Sequence, residues 1–180
     1  MSRYIVTGGS GFIGSNIVKV LLKAGNEVKV IDNLATGRES NLETVKADFE
    51  MRKVDIRDFD SLSKEFSGFD YVLHQAALPS VARSVENPYD SFDVNVLGTI
   101  NVLKASLKSE IKRVVFASSS SIYGDSEKLP KSEGDPVNPL SPYAVSKYSA
   151  ERLTLQFFKL YGLETVALRY FNVFGPFQDP

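Results

Sequence analysis

Val6-Thr7-Gly8-Gly9-Ser10-Gly11-Phe12-Ile13-Gly14 is the stretch on which the reading of this 180-residue chain turns. An apolar run, Tyr4-Ile5-Val6, leads into it. Beyond it, Ile13, Ile17, Leu21 and Ala24 recur at helical spacing until Gly25-Asn26, so the stretch reads as strand, tight turn, helix. Gly8 lets the chain turn sharply after the strand, Gly11 leaves no Cβ between the backbone and an approaching phosphate, and Gly14 allows the helix to pack closely on a sheet. The free N–H groups and positive dipole end of the helix would face that phosphate. The expectation is a pyrophosphate-binding turn of the dinucleotide type, spaced Gly-x-x-Gly-x-x-Gly rather than Gly-x-Gly-x-x-Gly.

Bulk composition narrows the partner. With 43% hydrophobic residues the chain suits one domain over 1–180, with a core between a sheet and its covering helices. Lys plus Arg (21) nearly balance Asp plus Glu (22) and form no basic stripe, which points away from nucleic acid and toward a small molecule. Absence of cysteine excludes disulfides and thiolate catalysis, and a single histidine, His74, argues against a metal site. No apolar run approaches the roughly 18 residues that span a bilayer. A strand beginning within three residues of Met1 leaves no room for a signal peptide, so a cytoplasmic location is expected.

Farther along, Glu27–Ile31, Phe49–Ile56, Asp70–His74, Lys112–Ala117 and Val166–Phe171 read as strands. A short helix is expected over Phe59–Phe66. A long one begins at Pro88, with Phe92, Val96, Ile100, Leu103 and Leu107 as a mainly core-facing stripe to about 109. Another starts at Ser141-Pro142 and runs to Tyr161-Gly162. Residues 33–48 read as loop, and 124–140 as a loop or lid. Strand and helix alternate, which argues an α/β fold with a doubly wound parallel sheet. Asp32, Asp55, the His74-Gln75-Ala76-Ala77 turn, Ser118-Ser119 and Phe171-Asn172 all fall at carboxyl ends of strands, the edge where such sheets bind ligands.

Asp32 lies 18 residues after Gly14, near the spacing at which a carboxylate reaches adenosine ribose hydroxyls; it would repel a 2′-phosphate, favouring NAD over NADP. Asp55 either accepts from an adenine amino group or sits in a surface turn before Arg57. Tyr143 and Lys147, four apart on a helix, share a face. They form either an ordinary amphipathic face or a general base in which the ammonium favours the phenolate. The serine run 118–121 is either a polar strand end or a set of hydroxyls able to share a proton with Tyr143. His74 ends an apolar strand without an evident carboxylate and reads as structural.

Together, Thr7-Gly8-Gly9-Ser10-Gly11-Phe12-Ile13-Gly14, Asp32-Asn33-Leu34-Ala35-Thr36-Gly37, Asp55-Ile56, Ser118-Ser119 with Tyr123-Gly124, Tyr143-Ala144-Val145-Ser146-Lys147 and Leu168-Arg169-Tyr170-Phe171-Asn172 resemble the extended short-chain dehydrogenase/reductases, within them the nucleotide-sugar epimerases. The resemblance runs from end to end. It implies a Rossmann fold and a bound NAD that is reduced and reoxidised within one turnover at C4 of a UDP-sugar. It implies cofactor contacts from Gly8, Gly11, Phe12, Ile13, Gly14, Asp32, Asn33, Thr36, Gly37, Asp55, Ile56, Ala76, Ala77, Asn95, Tyr143, Lys147 and Tyr170. Ser119, Tyr143 and Lys147 would be catalytic, and Ser119, Tyr143 and Asn172 would touch substrate. Dehydratases of the family carry Asp-Glu after the catalytic Ser/Thr; Ser120-Ser121 stands here instead, favouring epimerisation over dehydration, with a nucleotide-sugar reductase or dehydratase as the alternative. Family members continue with a smaller substrate domain, so the chain resembles the cofactor half of a longer enzyme, and a non-catalytic NAD-binding or dimerising fragment is the alternative. Helices near 88–109 and 142–161 are expected to pair in a homodimer.

Overall fold

A computed structural model describes residues 1–45, 48–176 and 178. Among them, β1 (Arg3–Thr7), β2 (Glu27–Asp32), β3 (Glu50–Lys53), β4 (Tyr71–His74), β5 (Arg113–Ser119) and β6 (Glu164–Tyr170) form one parallel sheet, ordered β3-β2-β1-β4-β5-β6. The order reverses beside β1, so the crevice at the carboxyl ends of β1 and β4 is the switch point of a doubly wound fold. Residues of β1 alternate between two cores. Ile5 joins Ile31, Leu62, Phe66, Val72, Leu103 and Val114, while Val6 joins Val18, Leu22, Val28 and Val30. Burial on both faces is why the central strands read as continuous apolar runs.

The helices are α1 (Phe12–Lys23), α2 (Phe59–Lys64), α3 (Val81–Glu86), α4 (Pro88–Phe92), α5 (Thr99–Lys108) and α6 (Pro142–Tyr161), with 3-10 turns at Glu39–Leu42 and Ser120–Tyr123. α6 has the expected ends: the Ser141 side chain accepts from Ala144 N, Pro142 opens the first turn, and Gly162 closes it at φ 74.

Three expectations change. The buried face of α1 is Gly14, Ser15, Val18 and Leu22; Ile13, Ile17 and Leu21 are half-buried and Ala24 exposed. Gly14 brings α1 against the glycine loop, and the residues following it at helical spacing are the ones that meet the sheet. The displaced stripe lines, with Val173 and Phe174, an apolar groove of about 390 Å³. The segment from Pro88 is not one α-helix: a π-helical stretch, Asp93–Gly98, separates α4 from α5. Its wider turn rotates the face, so small residues (Ser91, Asn95, Gly98, Thr99) are buried while Phe92 is 38% exposed; only from Leu103 does the expected stripe enter the core. A Cβ on Gly98 would lie 2.6 Å from Ile56 Cδ1, so close approach dictates the small residues. Finally, the strand expected over Phe49–Ile56 contracts to Glu50–Lys53. In addition α3, a stretch to which the sequence assigned no element, is a helix capped by Ser80.

Candidate active site

The carboxyl edge of the sheet opens into a cleft of about 1010 Å³, at the upper end of ligand-pocket sizes. Its lining includes Gly8, Gly11, Phe12, Ile13, Gly14, Asp32, Asn33, Thr36, Gly37, Asp55, Ile56, Ala76, Ala77, Ser119, Tyr143, Lys147, Tyr170 and Asn172. Residues spread over the sequence are thus brought to one surface. Asn95 is the exception. It is buried and holds segment 75–78 from below, its Oδ1 accepting from Leu78 N at 2.8 Å and its Nδ2 donating to Leu78 O at 3.3 Å.

At one end the glycine loop is built by contact. Gly8 has φ +68, donates its N–H to Ile31 O at 2.8 Å, and would place a Cβ 2.6 Å from Ala76 N. A Cβ on Gly14 would fall 2.1 Å from Gly8 O. Gly11 differs: a Cβ there would meet only Gly8 O, at 3.3 Å, and otherwise point into open space. It is also the N-cap of α1 and supplies no side-chain acceptor, which leaves the first-turn N–H groups available. Asp32 secures the loop, accepting from Ser10 N at 2.9 Å and from Leu34 N at 2.8 Å. Leu34 takes φ 62, a left-handed conformation held by that bond.

Asp55 faces the same end with its carboxylate engaged. Arg57 donates from Nε, Nη2 and its backbone N at 3.0, 2.7 and 2.9 Å, and Asn33 Nδ2 donates at 2.9 Å. Hydrogen bonding to Arg57 first, and Asn33 in addition, holds the Asp55 carboxyl at about 2 against the opposing pull of burial. Four donors fill its acceptor sites, so an adenine amino group would have to displace one.

At the other end stand Ser119, Tyr143 and Lys147. Ser121 donates to Ser119 Oγ from both its N (3.1 Å) and its hydroxyl (2.9 Å), which leaves the Ser119 proton free to turn to the phenol. Burial raises the Tyr143 phenol above its ordinary value while Ser119 pulls it back. The expected lowering by Lys147 is not what this geometry gives. The Lys147 ammonium lies 4.4 Å above the centre of the Phe116 ring, and burial alone brings its pKa down to about 7.

Several participants carry no local sequence signal. Ser84 of α3 accepts from Tyr143 N at 3.0 Å and so fixes the first turn of α6. Arg83 and Asp90 add charges to the rim. Glu151 extends the Tyr143–Lys147 spacing by a further turn and is buried against Arg169 and Ser118; that i, i+4, i+8 series is the one clue the sequence offered.

A switch-point cleft with a phosphate-type glycine loop at one end and a serine, tyrosine and lysine at the other defines a dinucleotide-dependent α/β protein of the short-chain dehydrogenase/reductase class. More narrowly, the chain belongs to the NAD dependent epimerase/dehydratase family, whose model matches residues 4–180. It is 48% identical over 178 residues to a putative UDP-glucose 4-epimerase of Methanocaldococcus jannaschii, covering 98% of this chain and 57% of that protein. It superposes on the UDP-glucose 4-epimerase of Thermus thermophilus, solved with NAD, at TM-score 0.92 and 45% identity, covering 99% of this chain and 58% of that one. DesIV of Streptomyces venezuelae, a dTDP-glucose 4,6-dehydratase solved with NAD, gives TM-score 0.95 at 36% identity, with 99% and 58% covered. The chain spans somewhat more than half the length of these relatives. Among the described residues, no helix is long and apolar enough to cross a membrane.

Proposed function

We propose that residues 1–180 form the NAD-binding domain of a nucleotide-sugar 4-epimerase acting on UDP-sugars of the glucose/galactose type. The observation that carries the reading is the placing of Ser119, Tyr143 and Lys147 in one cleft with the glycine loop and Asp32. The cradle suits the cofactor: a Cβ on Gly11 would project into the space a pyrophosphate needs, and Asp32 presents a carboxylate where a ribose, but not a 2′-phosphate, is tolerated. When bound, NAD supplies a hydride acceptor that becomes the donor for the return step.

This chain's residues would manage the proton. Tyr143 takes it from the C4 hydroxyl and Ser119 shares the hydrogen bond between the sugar oxygen and the phenol, while Lys147 would hold the nicotinamide ribose. Asn172, exposed just after β6, would meet the nucleotide-sugar. Epimerisation needs the same Tyr143 to return the proton. Dehydration needs a further acid to expel a hydroxyl, and Ser120 and Ser121 offer none.

A second copy of the chain is the proposed partner. Its supporting observation is the set of exposed apolar side chains Tyr89, Phe92 and Leu97 on the 88–108 segment and Phe158, Leu160 and Tyr161 on α6. A cytoplasmic setting accords with these small-molecule partners.

The test of function is product analysis with UDP-galactose, using the polypeptide expressed from its complete reading frame. Appearance of UDP-glucose supports the reading. A 4-keto-6-deoxy product indicates a dehydratase, and binding of NAD without turnover of UDP-glucose, UDP-galactose or their N-acetyl forms overturns the epimerase assignment.

A further inference from the structure

Thr7, His74, Thr99, Asn95 and Ser146 are each no more than 1% exposed and lie in one continuous run of hydrogen bonds under the cleft. Thr7 Oγ1 and His74 Nδ1 are 2.6 Å apart, and His74 Nε2 and Thr99 Oγ1 are 3.0 Å apart. Thr99 gives its hydroxyl proton to Asn95 O at 2.7 Å, one helical turn back. Its oxygen can therefore only accept from the imidazole, which puts the ring proton on Nε2. Nδ1 is then the acceptor, and Thr7 donates to it.

Both ends of the run reach the cleft. Ala76 N donates to Thr7 Oγ1 at 3.4 Å, and Asn95 binds both backbone groups of Leu78, so segment 75–78 is held at two points. Asn95 Nδ2 also donates to Ser146 Oγ at 3.0 Å, and Ser146 donates to Tyr143 O at 2.7 Å. The chain of donors thus passes from the strand that launches the glycine loop, through β4 and α5, to the first turns of α6.

We propose that His74 is a positioning residue of the cofactor site: one neutral imidazole, donor on one nitrogen and acceptor on the other, locks segment 75–78 and the Tyr143 turn of α6 to the strand carrying the glycine loop. The role rests on the reading that NAD lies along this cleft. Burial keeps the ring neutral, bringing its pKa down to about 3 with the Lys147 charge adding to the effect. Neither Asn nor Gln replaces both functions. Asn can present an acceptor where Nδ1 stood, and Gln a donor where Nε2 stood.

Nitrogen NMR of the wild-type chain tests the relay directly, because His74 is its single histidine. A neutral Nε2–H tautomer at pH 7 is expected; an Nδ1–H tautomer or an imidazolium overturns it. NAD titration then tests the role. His74→Leu should weaken NAD binding about tenfold or more. Leu62→Ala, a core control outside the run, should leave affinity within about twofold despite a comparable fall in Tm, and His74→Asn should recover most of the loss by keeping the Thr7 arm. Unchanged affinity in His74→Leu, or an equal loss in Leu62→Ala, overturns the proposal. Should His74→Leu not fold, Thr7→Val removes the same arm with little change of shape, and wild-type affinity in that variant is equally contrary. Failure of the wild-type chain to bind NAD would overturn the cofactor reading and this role with it; the tautomer alone tells that outcome from failure of the relay.

Discussion

Arg169 closes on Glu151 with both ends of its guanidinium, Nη2 lying 2.7 Å from Oε1 and Nε 3.1 Å from Oε2. The pair ties the carboxyl end of β6 to the third turn of α6. Ser118 Oγ donates to Glu151 Oε2 at 2.5 Å, and Arg169 Nη1 donates to Tyr123 Oη at 2.7 Å and to Glu133 O at 3.0 Å. One ion pair therefore braces the serine strand, α6 and the 124–140 loop at once.

Breaking that pair from one side should be costly. Arg169→Met leaves a carboxylate that is 2% exposed with Ser118 as its one remaining hydrogen-bond donor among the described residues, and a loss of about 3 kcal/mol or more in urea unfolding is expected. The double variant Arg169→Met, Glu151→Leu should recover part of the loss, because no charge is then left buried. A single variant costing under about 1 kcal/mol would mean the pair is solvated.

Lys147 is buried at a cost to the fold. Its folded pKa of about 7 lies below the unfolded value, so the unfolded chain binds more protons between about pH 7 and 10.5, and stability rises with pH through that window. Lys147→Met should be more stable than wild type at pH 7 by roughly 2–4 kcal/mol, since each tenfold change in a proton-binding constant corresponds to about 1.4 kcal/mol. Its stability should lose the rise above pH 7, and its NAD affinity should fall. Chemical denaturation at pH 7 and pH 9.5 checks the sign.

His74 carries the same sign into acid. With a folded pKa of about 3 against 6.5 unfolded, its contribution is complete above about pH 6.5 and is lost as pH falls toward 3. Comparing wild type with His74→Asn isolates it from the carboxylates. The difference in unfolding free energy should shrink on going from pH 7 to pH 4, and a constant difference would contradict the buried, neutral ring.

Gly14→Ala should destabilise the chain rather than merely weaken a ligand, since the new Cβ would meet backbone, Gly8 O, at 2.1 Å. A fall in Tm of several degrees without ligand is expected, on the scale of about 4 °C or less per kcal/mol lost for a chain of this size. A wild-type Tm would show that the loop yields more easily than its contacts indicate.

The glycine loop, Asp32, Ser119, Tyr143 and Lys147 were legible because each sits in a local pattern: strand into turn, strand end, or a Ser-Pro helix start followed by a four-residue spacing. What eluded the sequence depends on packing. The face of α1 is set by how tightly Gly14 meets Gly8, and the face of the 88–108 segment by a π-helical turn that no period of 3.6 reveals. The raised pKa of the Tyr143 phenol follows from burial rather than from its neighbour at i+4. The Thr7–His74–Thr99 bonds join residues 67 and 25 apart, and Glu151 meets Arg169 across 18. Such pairs exist only once the sheet order is fixed.

Calorimetric titration of NAD into the 180-residue chain and into Gly11→Val decides whether the cleft holds NAD with its pyrophosphate on the open side of Gly11. One NAD should bind per wild-type chain. A folded Gly11→Val chain with wild-type Tm should bind at least about tenfold more weakly. Absence of NAD binding by the wild-type chain, or wild-type affinity in Gly11→Val, would refute that placement.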